Sequence, residues 1–248
     1  MGGALAQRWH HAGISEVSVV EPDEARAIAL RDQNITVHKD LASAPIPSTL
    51  VLAIKPQQFA EMKEAIRTHC PNSTLISIMA GVSVETLSWI CPRVARVMPN
   101  LPALIGESMS VGYGAELDEP AREFVADLFR AVGDFVWVED EALLHSVTGI
   151  SGSGPGYVFA LMEALEAAGV ANGLSAELSR TLVAQTFRGA ALLAAEVPDS
   201  FASLRENVTS PGGTTAAALS IFSEENLPGT INKGVAACIQ RSKELSSK

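Results

Sequence analysis

The sequence has few cysteines, few aromatic residues and a deficit of positive charge. Its 248 residues include three cysteines and 5% aromatic side chains, and 18 Lys and Arg stand against 28 Asp and Glu, for a formal net charge of −10. The cysteine count is odd, and no two cysteines form a CxxC pair. We therefore expect a cytoplasmic protein with free thiols rather than a disulfide scaffold.

The missing features also exclude several classes of partner. A strongly acidic chain without basic clusters is a poor match for nucleic acid or for an anionic membrane surface. No run of about eighteen apolar residues is present that could span a membrane, and the first residues do not resemble a signal peptide. The five histidines have no metal-ligand spacing, so we expect no metal site.

The pattern that is present changes near residue 140. Before that point short apolar runs alternate with helical segments, which indicates βαβ units and a parallel, doubly wound sheet buried on both faces. After it the segments are helical and rich in Ala and Leu. Some are apolar on nearly every side, which predicts burial against a second subunit. The expected strands are 16–20, 49–54, 73–79 and 93–98, with helices at 22–33, 57–69 and 82–90. The segments 107–115 and 134–140 are expected to extend the sheet around a helix at 119–132.

The first residues suggest one half of a dinucleotide site. A doubly wound sheet binds ligands beyond the carboxyl ends of its strands. The opening Met1–Leu5 resembles the end of a G-x-G-x-x-G fingerprint, with Gly2 as the third glycine. Glu21 ends a predicted strand about twenty positions later, where an acidic residue would bind the ribose hydroxyls. The alternative is a plain helix start and a surface glutamate.

Two glycine-rich helix starts in the second half suggest a site for an anion. They are SGSGPGY (151–157) and NVTSPGGTTAAAL (207–219), and neither carries a cation. The second lacks the lysine that a nucleotide P-loop requires. A helix N-terminus offers unpaired N–H groups and about half a positive charge. These residues therefore favour a small carboxylate as the ligand.

These two motifs and their spacing resemble the signatures of the pyrroline-5-carboxylate reductase family. The segments AIKP (53–56), MAG (79–81) and VMPN (97–100) are similar to that family's cofactor-side strand ends. The resemblance covers nearly the whole chain. It implies a Rossmann-like dinucleotide-binding domain over 1–140 and an all-α substrate-binding and dimerisation domain over 141–248. The implied reaction is reduction of 1-pyrroline-5-carboxylate to L-proline by NADPH or NADH, in a homodimer or a higher assembly of dimers.

The resemblance also implies a role for each matching residue. Thr215 would be the catalytic residue, with its hydroxyl bonded to the ring nitrogen, and the backbone of Gly212, Gly213 and Thr214 would bind the carboxylate. Glu141, Thr214 and Thr215 would contact the substrate. The cofactor would be bound by Gly2, Glu21, Asp40, Ala53, Ile54, Lys55, Pro56, Met79, Ala80 and, on the nicotinamide side, Asn207.

The sequence departs from the family pattern in two places. Gly156 stands where the family usually has alanine, and the first strand and the first two fingerprint glycines are not seen. We expect either a chain shortened relative to its natural start or weak cofactor binding.

Two alternative functions stay open. One is a related NAD(P)-dependent imine or hydroxy-acid reductase, although a hydroxy-acid enzyme would need a lysine in a site helix, and Lys233, Lys243 and Lys248 do not lie in one. The other, supported by the missing first strand, is a non-catalytic dimeric relative that has lost cofactor binding.

Overall fold

The computed structural model describes residues 1–14 and 16–246, which divide into two compact units. The first unit contains Met1–Pro155 and the chain from Ala237 onward, and the second contains Gly156–Ala236. This division of the chain differs from the boundary predicted near residue 140, which concerned cofactor and substrate binding and stays a prediction.

The first unit is α/β, as the alternation of apolar strands and helices predicts. Its strands are β1 (Ser18–Val20), β2 (Thr36–His38), β3 (Thr49–Leu52), β4 (Thr74–Ser77), β5 (Val94–Met98), β6 (Ser108–Tyr113) and β7 (Gly133–Trp137). Its helices are α1 (Gly2–His11), α2 (Glu24–Arg31), α3 (Pro56–His69), α4 (Val84–Ser88), α5 (Glu119–Arg130) and α6 (Leu143–Val147). A 3-10 helix at Leu101–Ile105 and a π-helical turn at Thr148–Gly152 complete it.

The strands form two separate sheets. A five-stranded sheet has the order β3-β4-β5-β6-β7, parallel except between β5 and β6, and β1 pairs in parallel with β2 alone. Within residues 1–14 and 16–246 no strand pairs with both β1 and β3. This break leaves the β1–β2 pair outside the five-stranded sheet. As a result β3 is half-buried over most of its length, whereas β4 is fully buried.

Both faces of the large sheet are covered by apolar side chains. On one face α1 and α5 pack through Leu5, Trp9 and Phe129, and the Trp9 indole N–H donates to the Leu128 carbonyl at 2.6 Å. On the other face α3 and α4 pack through residues such as Phe59 and Leu87. Burial on both faces, with every neighbouring pair parallel except β5 and β6, confirms the doubly wound arrangement predicted from the apolar strands.

Most elements begin where local chemistry favours it. Asp23 and Ser83 cap α2 and α4 with side-chain oxygens that accept backbone N–H groups. Pro56 is the first residue of α3, a position that suits proline. The strand predicted over 49–54 ends earlier, at Leu52. The pattern missed β2, because a run of three residues is too short to show a period of two.

The second unit consists of helices without a core of their own. It holds most of α7 (Gly154–Ala171), then α8 (Ala176–Glu196), α9 (Phe201–Asn207), α10 (Thr214–Glu224) and the first part of α11 (Leu227–Ser246). Ser179 is the one buried residue described in this unit, and large apolar side chains such as Phe159 and Leu182 are exposed. Among the described residues no helix is both long and apolar enough to cross a membrane.

Candidate functional site

The residues predicted to bind the cofactor follow the carboxyl ends of the parallel strands. Glu21 follows β1 and Asp40 lies just beyond β2. Ala53–Pro56 follow β3, and Met79 and Ala80 lie just beyond β4. This is the edge of a doubly wound sheet at which ligands bind.

Gly2 begins α1 and lies directly against the end of β3. A Cβ atom at Gly2 would stand 2.6 Å from the Cβ of Ala53, so no larger residue fits. Among the described residues, the N-terminus of α1 has neither a side-chain cap nor an acidic residue in its first turn. Close helix–strand packing is the role of the third fingerprint glycine, and an uncapped helix start suits a pyrophosphate. These residues fit a dinucleotide.

Glu21 follows the last residue of β1, beside the carboxyl end of the paired strand β2. Its backbone N–H donates to the His38 carbonyl at 3.0 Å, and its Oε1 accepts the Asp23 N–H at 3.0 Å. The Arg26 guanidinium is 3.6 Å from the other carboxylate oxygen. The carboxylate is thus held at the carboxyl end of β1 by the start of α2.

Asp40 is engaged in a local turn. Its Oδ1 accepts the Ser43 N–H at 2.8 Å, and the Ser43 hydroxyl donates to the Asp40 carbonyl at 3.0 Å. The hydrogen bonds from the Ser43 backbone and side chain lower the pKa of Asp40. These local hydrogen bonds explain how the Asp40 side chain is held, and the contact of Asp40 with the cofactor stays a prediction.

The AIKP and MAG segments present mainly backbone to this edge. Lys55 precedes α3, and its N–H donates to the Gln58 side chain at 3.1 Å. Ile54 packs against the core, and the Met79 side chain is buried in that same core. Ala53 and Ala80 are exposed. A ligand here would meet Ala53, Lys55 and the backbone around Ala80, but not the Met79 side chain.

The Glu141 carboxylate already has two polar partners within the first unit. Its Oε1 lies 2.6 Å from Nη1 of Arg96 on β5 and accepts the Val84 N–H at 2.8 Å. Sequence reasoning missed Arg96, although a cation inside the apolar run RVARVM is a visible signal. The predicted contact between Glu141 and the substrate stays a prediction.

Asn100 is a second residue that the sequence analysis left without a role. Its Nδ2 donates to the Ser151 carbonyl at 3.0 Å, which ties the π-helical turn to the end of β5. Its Oδ1 accepts the Met109 N–H at 3.0 Å. The VMPN motif therefore connects the sheet to the segment that carries SGSGPGY.

In the second unit the glycine-threonine loop leads into α10. Gly212 has φ +69°, and the Gly213 N–H donates to the Ser210 carbonyl at 3.0 Å. Gly213 is the N-cap, and no side chain of the described residues caps the helix. The N–H groups at the start of α10 therefore remain available to an anion.

Thr214 and Thr215 are the first two residues of α10, and Thr215 is half-buried. Asn207 is exposed at the end of α9. The loop geometry supports a carboxylate site in this unit, and the contacts of these three side chains with ligands stay predictions.

Comparison with known proteins places the chain among imino-acid reductases. The family described as pyrroline-5-carboxylate reductase dimerisation matches residues 141–245, and the family described as NADP oxidoreductase, coenzyme F420-dependent, matches residues 1–81. The pyrroline-5-carboxylate reductase of Haemophilus influenzae is 38% identical over 239 residues, which cover 94% of this chain and 88% of that protein. The enzyme of Arabidopsis thaliana is 39% identical and covers 79% of this chain and 72% of its own length.

Two solved structures share the fold. That of a pyrroline-5-carboxylate reductase from Coxiella burnetii has a TM-score of 0.89 at 28% identity and covers 98% of this chain and 94% of its own. That of Plasmodium falciparum pyrroline carboxylate reductase with NADP bound has a TM-score of 0.86 at 29% identity, covering 99% and 96%. This chain belongs to the pyrroline-5-carboxylate reductase family.

Proposed function

We propose that this chain reduces 1-pyrroline-5-carboxylate to L-proline with NADPH or NADH, the last step of proline biosynthesis. It is an oxidoreductase that acts on a C=N bond. The observation that carries the proposal is the uncapped start of α10 behind Gly212 and Gly213 in the described part of the chain. This helix start offers a carboxylate site without a cation, in a chain whose relatives reduce a cyclic imino acid.

At the substrate end, the backbone of Gly212, Gly213 and Thr214 binds the carboxylate. The free N–H groups of the first helical turn and the positive end of the helix dipole attract the carboxylate. This local attraction acts against the repulsion from the protein's net charge of −10. The Thr215 hydroxyl both donates and accepts, which suits a ring nitrogen whose protonation changes during the reaction.

At the cofactor end, the start of α1 and the strand ends hold the dinucleotide. Gly2 allows α1 to approach Ala53, and the uncapped helix start receives the pyrophosphate. Glu21 accepts hydrogen bonds from the ribose hydroxyls. The proposed cofactor contacts are completed by Asp40, Ile54, Lys55, Pro56, Met79, Ala80 and Asn207, with Ile54 and Met79 contributing backbone because their side chains pack in the core.

The chemistry divides between the cofactor and the protein. When bound, the reduced nicotinamide would supply a hydride to the imine carbon; with the ring nitrogen already protonated, the C=N bond becomes CH–NH and the oxidised cofactor is released. The protein supplies position: the loop at Gly212 and Gly213 fixes the carboxylate, and Thr215 fixes the nitrogen that is reduced.

We also propose that the chain works as a cytoplasmic homodimer. The exposed apolar helices of the second unit, which lie within the matched dimerisation family, support the dimer. The free cysteines Cys70, Cys91 and Cys238 support a reducing compartment.

Loss of reduced-nicotinamide absorbance on adding pyrroline-5-carboxylate tests the function, and fluorescence titration with NADPH tests binding separately. We expect binding, oxidation of NADPH and formation of proline. Binding without oxidation would favour a reductase of another imine. A folded chain that binds no dinucleotide would favour the non-catalytic relative and contradict the proposal.

A further inference from the structure

One face of β5 carries a charged side chain between two apolar ones. Side chains alternate along a strand, so Val94, Arg96 and Met98 point to the same face. Val94 belongs to the core that α3 and α4 cover. The Arg96 side chain is 7% exposed, and its Nε is buried without a hydrogen-bond partner among the described residues. A buried arginine is costly unless it is paired, so the pairing of Arg96 is its most informative feature.

Arg96 pairs with Glu141, and Glu141 has a second partner. A single carboxylate oxygen, Oε1, lies 2.6 Å from Arg96 Nη1 and accepts the Val84 N–H at 2.8 Å. Val84 is the first residue of α4, immediately after its cap Ser83. The carboxylate therefore links the middle of β5 to the start of α4, and the arginine fixes where that carboxylate lies.

The start of α4 is the far end of the loop that follows β4. At the near end of this loop the Met79 N–H donates to the Ser77 hydroxyl at 3.3 Å. Between the two ends lie Ala80, which is exposed, and Gly81, which has φ +81°. The bond from Val84 to Glu141 thus holds one end of a short loop that presents its backbone at the ligand edge of the sheet.

A histidine is another titratable side chain beside this pair. His145 lies nearby, and its Nδ1 is 2.9 Å from the Ser242 hydroxyl. Burial and then the positive charges of Arg96 and Lys243 lower the pKa of His145, against the opposing effect of Glu141. This shift favours the neutral form of the ring, which does not compete as a cation for the Glu141 carboxylate.

We propose that Arg96 is a positioning residue for dinucleotide binding, acting through Glu141 and Val84 on the loop that follows β4. Glu141 is then an internal bridge and not a contact of the imino acid. The inference rests on the proposed function, because that function puts a dinucleotide at this loop.

Three variants test the bridge: Arg96→Met, Glu141→Gln and the double variant. We expect each to raise the Kd for NADPH about tenfold or more while the KM for the imino acid changes less than about twofold, because the loop and not the substrate site is displaced. The double variant should bind NADPH no more weakly than Arg96→Met alone, since the two substitutions interrupt the same series of contacts from Arg96 through Glu141 to Val84. Exchange of the Val84 amide hydrogen should be at least about tenfold faster in Arg96→Met, even without NADPH.

Arg130→Met is the matched control, because Arg130 pairs with Glu123 and Asp127 on the exposed side of α5. It should leave the Kd for NADPH and Val84 exchange unchanged. If Arg96→Met does not fold, the conservative Glu141→Gln variant carries the test.

A rise in KM for the imino acid with an unchanged Kd for NADPH would make Glu141 a substrate contact and overturn the inference. Unchanged Kd and unchanged exchange would overturn it too, as would a wild-type chain that binds no dinucleotide. A wild type that binds NADPH but does not oxidise it would refute the proposed function alone, and the binding and exchange measurements would still decide the bridge.

Discussion

On the proposed function, Thr215 is the residue on which we expect reduction at the substrate end to depend most directly. It is the second residue of α10, the N-cap is Gly213, and the Thr215 hydroxyl makes no hydrogen bond within the described residues. Thr215→Val keeps the shape and deletes the bond to the imine nitrogen. Such a bond is worth roughly 0.5–1.5 kcal/mol, and more where a buried partner loses it. We expect kcat/KM to fall about tenfold to a hundredfold at roughly 1.4 kcal/mol per decade.

The controls separate catalysis from helix stability. Thr215→Ser retains the hydroxyl and should keep most of the activity, and the Kd for NADPH should hardly change in either variant. A Thr215→Val protein with a lower free energy of unfolding but unchanged specific activity would show that the side chain only stabilises the helix.

On the proposed function, Glu21 is also the residue that we expect to set the choice between NADH and NADPH. Its carboxylate at the end of β1 would accept hydrogen bonds from the ribose hydroxyls and would repel a 2′-phosphate. Wild type should therefore use NADH at least as well as NADPH. Glu21→Ser should shift the ratio of kcat/KM values toward NADPH.

Glu24→Ser is the control for this change, because Glu24 pairs with Arg31 on exposed α2. It should leave the ratio as it is. An unchanged ratio in Glu21→Ser would remove Glu21 from the adenosine ribose.

At the scale of an element, substitution by alanine should change the free energy of unfolding in opposite directions at two glycines. Gly156 lies in α7, and a methyl group added there would meet no atom of the described residues within 4 Å, so Gly156→Ala should raise the free energy of unfolding by about 0.5–1 kcal/mol. At Gly81 φ is +81° and the methyl group would stand 2.7 Å from the Leu245 carbonyl oxygen. Gly81→Ala should lower stability by about 1–3 kcal/mol. Urea unfolding of both variants measures the difference, and equal shifts would contradict this account.

Much of the element order could be predicted from local pattern, and the long-range contacts could not. The apolar runs at 49–54 and 93–98 did become strands β3 and β5, because a buried parallel strand requires continuous apolar residues. The Arg96–Glu141 pair joins residues 45 positions apart, so no periodicity reveals it. The uncapped start of α10 was visible as two glycines before a helical run. The return of α11 to the first unit after Ala236 was not visible.

For the whole molecule, the exposed apolar surface of the second unit predicts an obligate dimer. Light scattering at micromolar concentration should give at least twice the mass of the chain. A charge buried in that interface without a partner is costly. Leu182→Glu should therefore weaken association at least about tenfold, or by more than roughly 1.4 kcal/mol.

Ile46→Glu is the control for this substitution, because Ile46 is exposed in the first unit, outside the matched dimerisation family. It should leave the mass unchanged. A stable wild-type monomer would contradict the prediction.

The three tryptophans, of which Trp9 anchors α1 to the sheet, all lie in the first unit. Their fluorescence therefore reports on that unit alone, whereas far-UV circular dichroism is dominated by the long helices of the second. Trp9 is buried and Trp89 is 53% exposed beside Lys63 and Arg67, so their emission should respond differently to a collisional quencher. Following both signals through one denaturant titration shows whether the units unfold together, because coincident transitions are the mark of a single cooperative step.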